Sequence, residues 1–157
     1  MMLKTRLARL LALTIAFAIT LLSLTACGGT DSNGTEGTLT LVIFDEVAVE
    51  YEVDLSLVGE GDGLMPVLSY LSENEGLTYT ATDGGYGAYL TSLGTLCESA
   101  TEGKYLYVYT SVEADFDVSV YASTIEYNGM TLTSSGVGIS EMTLTDGAVI
   151  CVGYIIY

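Results

Sequence analysis

Apolar and polar residues alternate along much of the chain after residue 38, and this pattern predicts β-strands. In the clearest run, residues 47–57, every odd-numbered position is apolar and the positions between them are mostly acidic. An alternation of period two is typical of a strand that buries one face. A shorter alternation over residues 39–43 precedes this run, so the sequence predicts two antiparallel strands joined near Asp45 and Glu46.

A single helix is predicted, over residues 64–75. Apolar residues recur at helical spacing from Leu64 to Leu71, Pro66 suits the first helical turn, and Gly76 suits the position where the helix stops. A helix this short is stable only when its apolar stripe packs against other elements. We therefore expect it to lie on a sheet.

The rest of the chain predicts further strands. Residues 77–82 favour a strand, and the nearly continuous apolar run at residues 148–157 favours a strand that is covered on both faces. Asn128-Gly129, between two short alternating runs, is a hairpin signal. The sequence therefore predicts the α+β class, with a mostly antiparallel sheet and one short helix.

Residues 110–128 carry two further patterns. Val118 and Val120 alternate with polar residues, which predicts added strands. Three acidic residues alternate over residues 113–117, and we interpret them as a solvated acidic edge that discourages pairing between sheet edges, with a Ca²⁺ site as the alternative.

The first 26 residues have the organisation of a secretory signal peptide. Lys4, Arg6 and Arg9 give a cationic start, and an apolar run over residues 10–24 follows. This run is shorter than the roughly 20 apolar residues of a membrane-spanning helix. It ends in Leu24-Thr25-Ala26-Cys27, which resembles the lipobox of the bacterial lipoprotein family.

The resemblance to lipoproteins implies that the Cys27 thiol receives a diacylglyceryl group and that the chain is cut just before it. Residues 1–26 are then the signal peptide, residues 27–38 the lipidated cysteine with a flexible tether, and residues 39–157 one domain. We expect the protein in the cell envelope, on the outer face of the cytoplasmic membrane or at the cell surface, held by acyl chains such as palmitate. The alternatives are a plain cleaved signal peptide and a helix that stays in the membrane.

The predicted mature chain is strongly acidic. Three of the four basic residues lie in the signal peptide, so Lys104 stands alone against 20 Asp and Glu residues, a formal net charge of −19. This charge repels nucleic acid and anionic lipid headgroups, so we expect no nucleic-acid partner and membrane contact through the lipid anchor only. The chain also has no His, which removes the commonest proton shuttle and a common zinc ligand. We therefore expect no enzyme, no metal and no cofactor.

Two cysteines remain besides Cys27. In an oxidising envelope Cys97 and Cys151 could form a disulfide. The alternative is two free thiols that pack as small apolar groups. A catalytic thiolate is the least favoured interpretation, because Lys104 is the only cation of the mature chain that could lower a thiol pKa.

Two tyrosine-rich stretches are candidate binding elements. Residues 83–94 place three glycines around Tyr86, and glycine lets a backbone approach a ligand closely; a wide turn between strands is the alternative. Tyr105, Tyr107 and Tyr109 fall on one face of a predicted strand. That face is either an exposed aromatic platform or is packed under another element.

Several segments, in order, resemble the C-terminal β-domain of the transcobalamin and intrinsic factor family, a domain similar to one found in bacterial envelope proteins. They are residues 62–71, 76–80, 87–93, 104–109 and 136–150. The resemblance implies a β-grasp-like fold whose ligand face is built from the Gly-rich turn and the aromatic strand, and which meets the corrin ring of cobalamin in the vitamin carriers. The residues it places on that face are Gly85, Tyr86, Gly87, Tyr89, Leu90, Thr91, Tyr105 and Tyr107.

The chain departs from this family in three places. Tyr105 or Tyr107 stands where the aromatic strand of the family usually carries Trp, and residues 110–128 are an additional segment. The vitamin carriers also clamp their ligand between this domain and a large helical barrel, which has no counterpart in the sequence.

The expected function is ligand binding without catalysis by an envelope-anchored lipoprotein, with a corrinoid or cobalamin-like small molecule as the named ligand. The alternative is a structural or adhesive module that contacts another envelope protein. A small-molecule site would be a concave, partly apolar pocket at residues 84–90 beside Tyr105 and Tyr107. An interaction module would present a flatter patch or an unpaired strand edge.

Overall fold

The structure, a computed structural model, describes residues 36–156. The predicted signal peptide, Cys27 and most of the predicted tether lie outside the described residues. The described part is α+β, as the sequence predicts, and consists mostly of strands with one α-helix. None of its helices is long and apolar enough to cross a membrane.

The helix α1 spans Met65–Glu75, and single turns of 3₁₀ helix lie at Leu55–Leu57 and Glu113–Asp115. The strands in chain order are β1 (Thr38–Phe44), β2 (Ala48–Asp54), β3 (Tyr79–Gly84), β4 (Gly87–Leu93), β5 (Leu96–Cys97), β6 (Lys104–Thr110), β7 (Thr124–Tyr127), β8 (Met130–Ser134) and β9 (Ala148–Ile156).

Six strands form the larger sheet, in the order β2-β1-β9-β6-β8-β7. β1 and β9 are parallel, and all other neighbours in this sheet are antiparallel. β9 lies in the middle of the sheet, where Ile150 and Cys151 are buried on opposite faces, as the unbroken apolar run predicts. The hairpin of β1 and β2 is also confirmed, with its turn at residues 45–47.

The helix α1 begins and ends where the sequence predicts. Pro66 lies in its first turn, and Gly76 ends it with a φ of 70°, a left-handed conformation that glycine adopts without strain. Its buried residues Val67, Leu68 and Leu71 pack with apolar residues of β1 and β9 in the main core. This core lies on one face of the larger sheet, the face of Leu41 and Ile150, which we call the helix side; the face of Val42 and Cys151 is the outer face.

The strands β3, β4 and β5 form a second, antiparallel sheet. Leu90, Leu93 and Leu96 place this sheet on the helix side, because all three are buried in the main core. β3 begins two residues later than predicted. Leu77 instead closes the helix end, where its N–H donates to the Leu71 carbonyl at 3.2 Å and its side chain joins the core.

The β7–β8 hairpin covers part of the outer face. It turns at Asn128-Gly129, as predicted, with φ values of 49° and 78° that a two-residue hairpin turn requires. Leu132 of this hairpin is fully buried and packs with Val42 and Cys151. The outer face therefore has a small core of its own.

The strand predicted around Val118 and Val120 is wrong. Residues 117–123 form a loop, and the two valines are 97% and 93% exposed. The loop is closed by local hydrogen bonds, such as that from Ser119 N–H to Asp117 Oδ1 at 2.8 Å, instead of by a neighbouring strand. The alternation of apolar and polar residues here does not mark a buried face.

Candidate functional site

The glycine-rich stretch forms the turn between β3 and β4, and we call residues 83–89 the hairpin tip. The tip is bonded to the segment that follows β8. Gly138 N–H donates to the Tyr86 carbonyl at 2.8 Å, Ile139 N–H donates to the Ala88 carbonyl at 2.7 Å, and Ala88 N–H donates to Ser140 Oγ at 2.8 Å. Three hydrogen bonds from outside the hairpin therefore hold the tip in one conformation.

Glycine at position 87 allows this attachment. Its φ is 94°, and a Cβ atom there would lie 2.8 Å from Ser140 Oγ and 2.9 Å from Glu141 Cγ. The sequence predicts that these glycines let the backbone approach something closely. At Gly87 the approaching group is the protein's own segment at residues 138–141.

The predicted site residues of the tip divide into an exposed and a buried group. Tyr86 is 88% exposed and Tyr89 is 47% exposed, while Gly85 has open space around its Cα. Leu90 is buried in the main core, and Thr91 is half-buried with its hydroxyl donating to a carbonyl of β3. The tip therefore offers two aromatic rings and bare backbone to a ligand.

Tyr105 and Tyr107 lie elsewhere. Side chains alternate along β6, so that Leu106 packs with the main core on the helix side, whereas Tyr107 packs with the small core of the outer face. Tyr105 shares the Tyr107 face and is 40% exposed, and Tyr109 on the same face is buried. The structure does not bring the aromatic strand face together with the hairpin tip. The predicted platform is covered progressively from Tyr105 to Tyr109.

A cavity of about 390 Å³ lies on the outer face, under the turn of the β7–β8 hairpin. Its lining mixes carboxylate, hydroxyl, amide and apolar groups from β1, β2, β7, β8 and β9. The lining residues are Thr40, Glu50, Glu52, Tyr127, Asn128, Met130 and Val149. This is not the predicted position at residues 84–90.

Tyr127 connects the two edge strands of the larger sheet across this cavity. The hydrogen bond between its hydroxyl and Glu50 raises the pKa of Tyr127 to about 12, with burial and the negative charge of Glu50 adding to the effect. β2 and β7 are at opposite ends of the strand order, yet Glu50 of β2 and Tyr127 of β7 line the same cavity, so the two edges of the sheet lie near each other at this point.

A second exposed element, which the site prediction missed, is the loop at residues 117–121. Val118, Val120 and Tyr121 are 97%, 93% and 83% exposed. The base of the loop is bonded to β8, because Asp117 N–H donates to the Ser134 carbonyl at 2.8 Å. The sequence signal for this loop is the placing of Val118, Val120 and Tyr121 within four positions of a segment that is otherwise mostly polar.

The loop and the hairpin tip are attached to the same short segment, residues 136–138. A Cβ atom on Gly136 would lie 3.0 Å from the Asp117 Cα, and one on Gly138 would lie 2.6 Å from the Tyr86 carbonyl oxygen. One residue separates these two contacts, so the bases of the two exposed elements are close neighbours.

The acidic residues before the loop are not all solvated. Asp115 is 3% exposed, and its carboxylate accepts hydrogen bonds from Thr143 N–H at 2.7 Å and from Thr143 Oγ1 at 2.9 Å. The prediction of a solvated acidic edge is therefore wrong at Asp115, which instead fastens the 3₁₀ turn to the chain before β9. Within residues 36–156, no group of three or more His, Cys, Asp and Glu side chains is placed to hold a metal ion.

The two cysteines of the domain are free in the structure. Cys97 is exposed on β5, where its N–H donates to the Tyr154 hydroxyl on the helix side, and Cys151 is fully buried on the outer face. The sheet lies between the two thiols, so they do not form the disulfide that was one of the two predictions. Burial raises the pKa of the Cys151 thiol to about 11.

No family model matches the sequence, and no curated protein matches it significantly. Among solved structures, the fold is similar to that of a candidate metal binding protein from Ruminococcus gnavus ATCC 29149, with a TM-score of 0.50 and 13% identity over 78% of this chain and 99% of that chain. It is also similar to haptocorrin, solved in complex with Cbi, with a TM-score of 0.55 and 14% identity over 85% of this chain and 28% of that chain.

At these identities the likeness is one of fold. The chain spans 28% of the length of haptocorrin. Haptocorrin belongs to the transcobalamin family, so the similarity agrees with the transcobalamin-like fold that the sequence predicts.

Proposed function

We propose that this protein is a lipid-anchored envelope protein that captures a small molecule at its hairpin tip without transforming it. In this proposal Cys27 carries the lipid, and the residues between Cys27 and β1 are the tether. We also propose that the domain is β-grasp-like, which is supported by the β1–β2 hairpin, the helix α1 and the central parallel pair of β1 and β9.

The observation that carries the proposal is the exposure of Tyr86 on a fixed backbone. Its ring is 88% exposed, yet its carbonyl is bonded to Gly138. A rigid aromatic residue loses little conformational entropy when it binds, and it supplies a large contact area. Tyr89 adds a second, partly exposed ring on the same tip.

The ligand class proposed is a broad ring with apolar faces and no net negative charge, such as a corrinoid. Tyrosine rings stack on such faces. Asp83 lies on the tip, and Glu141 lies beside Gly87, so the local charge disfavours an anion. The fold that this chain shares with part of haptocorrin, a protein solved with Cbi, supports naming a corrinoid.

Binding without catalysis is the proposed activity because His, the side chain used most often as a general acid or base, is missing, and the candidates Lys104 and Cys151 are, respectively, paired and buried. The sequence has no His, and Lys104, the one cation outside the predicted signal peptide, is paired with Glu102 at 2.8 Å. The Cys151 thiol is buried with a raised pKa, which keeps it protonated and unreactive at neutral pH.

The test is calorimetric titration of the full-length protein, held in detergent, with cobinamide as the probe. We expect saturable binding that weakens at least about tenfold in Tyr86→Ala, since exposed aromatic anchors commonly contribute this much. Tyr105→Ala is the comparison variant, because it removes a tyrosine from the outer face. We expect it to bind like the original protein.

Three results would contradict parts of this proposal. Heat of dilution alone, at protein concentrations well above micromolar, would overturn corrinoid capture. Binding that is lost in Tyr105→Ala and kept in Tyr86→Ala would move the site to the outer face. Conversion of cobinamide during the titration, seen in its absorption spectrum, would overturn the proposal of binding without catalysis.

The second candidate is a module that contacts another envelope protein. It is favoured by the openness of the tip, since Tyr86 and Tyr89 stand on a turn and not inside the pocket predicted for a small molecule. Crosslinking from position 86 in intact cells distinguishes the two functions. A single protein adduct that free cobinamide does not reduce would favour the module.

A further inference from the structure

The loop at residues 117–121 presents apolar side chains that the domain itself does not use. Val118 and Val120 are almost entirely exposed, and Tyr121 follows them at 83%. Isolated exposed apolar residues are ordinary on a protein surface, but three within four positions are a candidate contact surface.

The loop has a defined shape. Asp117 Oδ1 accepts from Ser119 N–H at 2.8 Å, Ser119 Oγ accepts from Tyr121 N–H at 3.2 Å, and Ser134 Oγ accepts from Ser123 N–H at 3.0 Å. Asp115, bonded twice to Thr143, fixes the turn that leads into the loop. The apolar side chains are therefore displayed by a backbone that is bonded at its base.

The loop stands next to the hairpin tip. Gly136 contacts the backbone at Asp117, and Gly138 contacts the backbone at Tyr86. These glycines make both contacts close, since a Cβ atom on Gly138 would lie 2.6 Å from the Tyr86 oxygen. The two exposed apolar elements thus rise from one short stretch of chain.

We infer that this loop is the second wall of the ligand site, and that it contacts the same ring-shaped, neutral or cationic ligand as Tyr86 and Tyr89. The inference rests on the proposed function. The loop and the tip are both attached to residues 136–138, so a single ligand of moderate size can contact both.

The class of ligand is inferred from the side chains of the loop at residues 117–121 and of the hairpin tip. The loop offers two valine side chains and a tyrosine ring, and the tip offers two more rings, so the complementary surface is a flat apolar face. Each element also carries an acidic residue, Asp117 at the base of the loop and Asp83 on the tip, and this negative charge disfavours anionic ligands. Each valine contributes about tenfold to the affinity if its side chain becomes buried.

The experiment compares cobinamide binding by three variants of the full-length protein in detergent. The first is the double variant Val118→Ser with Val120→Ser, which keeps the loop backbone and removes the apolar contact. The second is Val47→Ser, a matched control, because Val47 is also an exposed valine, at 76%, and lies in the β1–β2 turn. The third is Tyr86→Ala. We expect the double variant to bind about 100 times more weakly, from about tenfold per valine, and Val47→Ser to bind like the original protein.

The binding results for these variants test the contact between the loop and the ligand separately from capture of the ligand at the hairpin tip. Weakening by Tyr86→Ala alone overturns the second wall and leaves capture at the tip. No binding by the original protein overturns both. Equal weakening by Val47→Ser and the double variant overturns the inference, because the loss would not depend on the loop.

Hydrogen exchange of the original protein gives an independent readout. We expect saturating cobinamide to slow exchange of the amides at residues 118–123 and 84–88 together. Slower exchange at residues 84–88 alone would also overturn the second wall.

Discussion

The two faces of the larger sheet are made by the same strands but are covered differently. On the helix side, α1 and the second sheet close a core of 19 buried residues, whereas four buried residues form the core of the outer face within the described part of the chain. The cover of the outer face is a hairpin whose strands have four and five residues. Glu50, Glu52 and Thr40 lie beside this small core and line the cavity.

The alternation of side chains along a strand decides which residues lie on each face of the sheet. The elements packed on that face decide how deeply those residues are buried. Leu41 and Val42 are neighbours on β1, both fully buried, yet one belongs to the large core and the other to the small one. The helix side carries most of the stability, since hydrophobic stabilisation follows the apolar area removed from water. The outer face can accommodate carboxylates because much of it stays in contact with water.

The largest expected effect is on the reaction rates of the two thiols. It tests whether the β7–β8 hairpin keeps reagents away from the buried residues of the outer face. In the full-length Cys27→Ser variant, we expect a disulfide reagent at pH 8 to modify Cys97 promptly. Cys151 should react more than about a thousandfold slower, because it is reached only when the structure opens and its thiol is protonated.

The measurement counts modified thiols with time, and the same protein in urea is the control that exposes both. Rapid modification of both thiols in buffer would show that the β7–β8 hairpin lifts from the sheet. Recovery of fewer than two thiols in urea without reductant would show a bond between Cys97 and Cys151, against the structure.

The next effect compares one substitution in each core. Leu41 and Leu132 are both fully buried, so Leu41→Ala and Leu132→Ala remove the same atoms. We expect losses of about 4 kcal/mol and about 2 kcal/mol in the free energy of unfolding, near the two ends of the range for buried leucine, since the shallow outer core can relax around the gap. Urea unfolding followed by circular dichroism measures both. Equal losses, or a larger loss for Leu132→Ala, would reverse the ranking of the two faces.

The smallest effect concerns the hydrogen bond that crosses the outer face. Tyr127 has its pKa raised to about 12 from an ordinary value of 10.0, first by its bond to Glu50. The folded state therefore holds this proton more tightly than the unfolded state, and the stability gained from the bond is complete below about pH 10 and is lost as the pH rises towards about 12. Tyr127→Phe should cost about 0.5–1.5 kcal/mol at pH 7.

The measurement for this pair is urea unfolding at pH 7 and at several values above pH 9.5. The difference between the original protein and Tyr127→Phe should shrink as the pH rises. A difference that stays constant up to pH 11.5 would show that the Tyr127 hydroxyl is not bonded to Glu50.

Much of the fold could be predicted from the sequence because its signals are local. Pro66 marks the start of α1 because proline fits the first turn of a helix, where its missing N–H is not needed. Gly76 marks the end of α1 and Asn128-Gly129 the β7–β8 turn because these positions have a positive φ that few residues adopt. The predicted start of β3 is two residues early because Leu77 does not belong to the strand. Its N–H caps the end of α1 and its side chain packs in the main core.

The candidate site was less predictable because it depends on which elements meet. Periodicity predicts that Tyr105 and Tyr107 share a face, but it does not tell which side of the sheet that face is on, and the structure places it away from the hairpin tip. The same ambiguity applies to Cys97 and Cys151, whose separation in sequence does not reveal the sheet between them. Val118 and Val120 alternate like strand residues, yet Asp117 and Ser119 satisfy the backbone locally and no strand forms.

The parallel pairing of β1 with β9 places the first residues of both strands at the same end of the larger sheet. Both strands begin at one end of the sheet, where Thr38 N–H donates to Asp146 Oδ1 at 2.9 Å, and the segment at residues 136–138 is bonded to the chain near the end of β6, at that same end. The chain from Cys27 joins the domain there. The hairpin tip and the loop at residues 117–121, which are both attached to residues 136–138, therefore rise near the end of the larger sheet at which β1 and β9 begin.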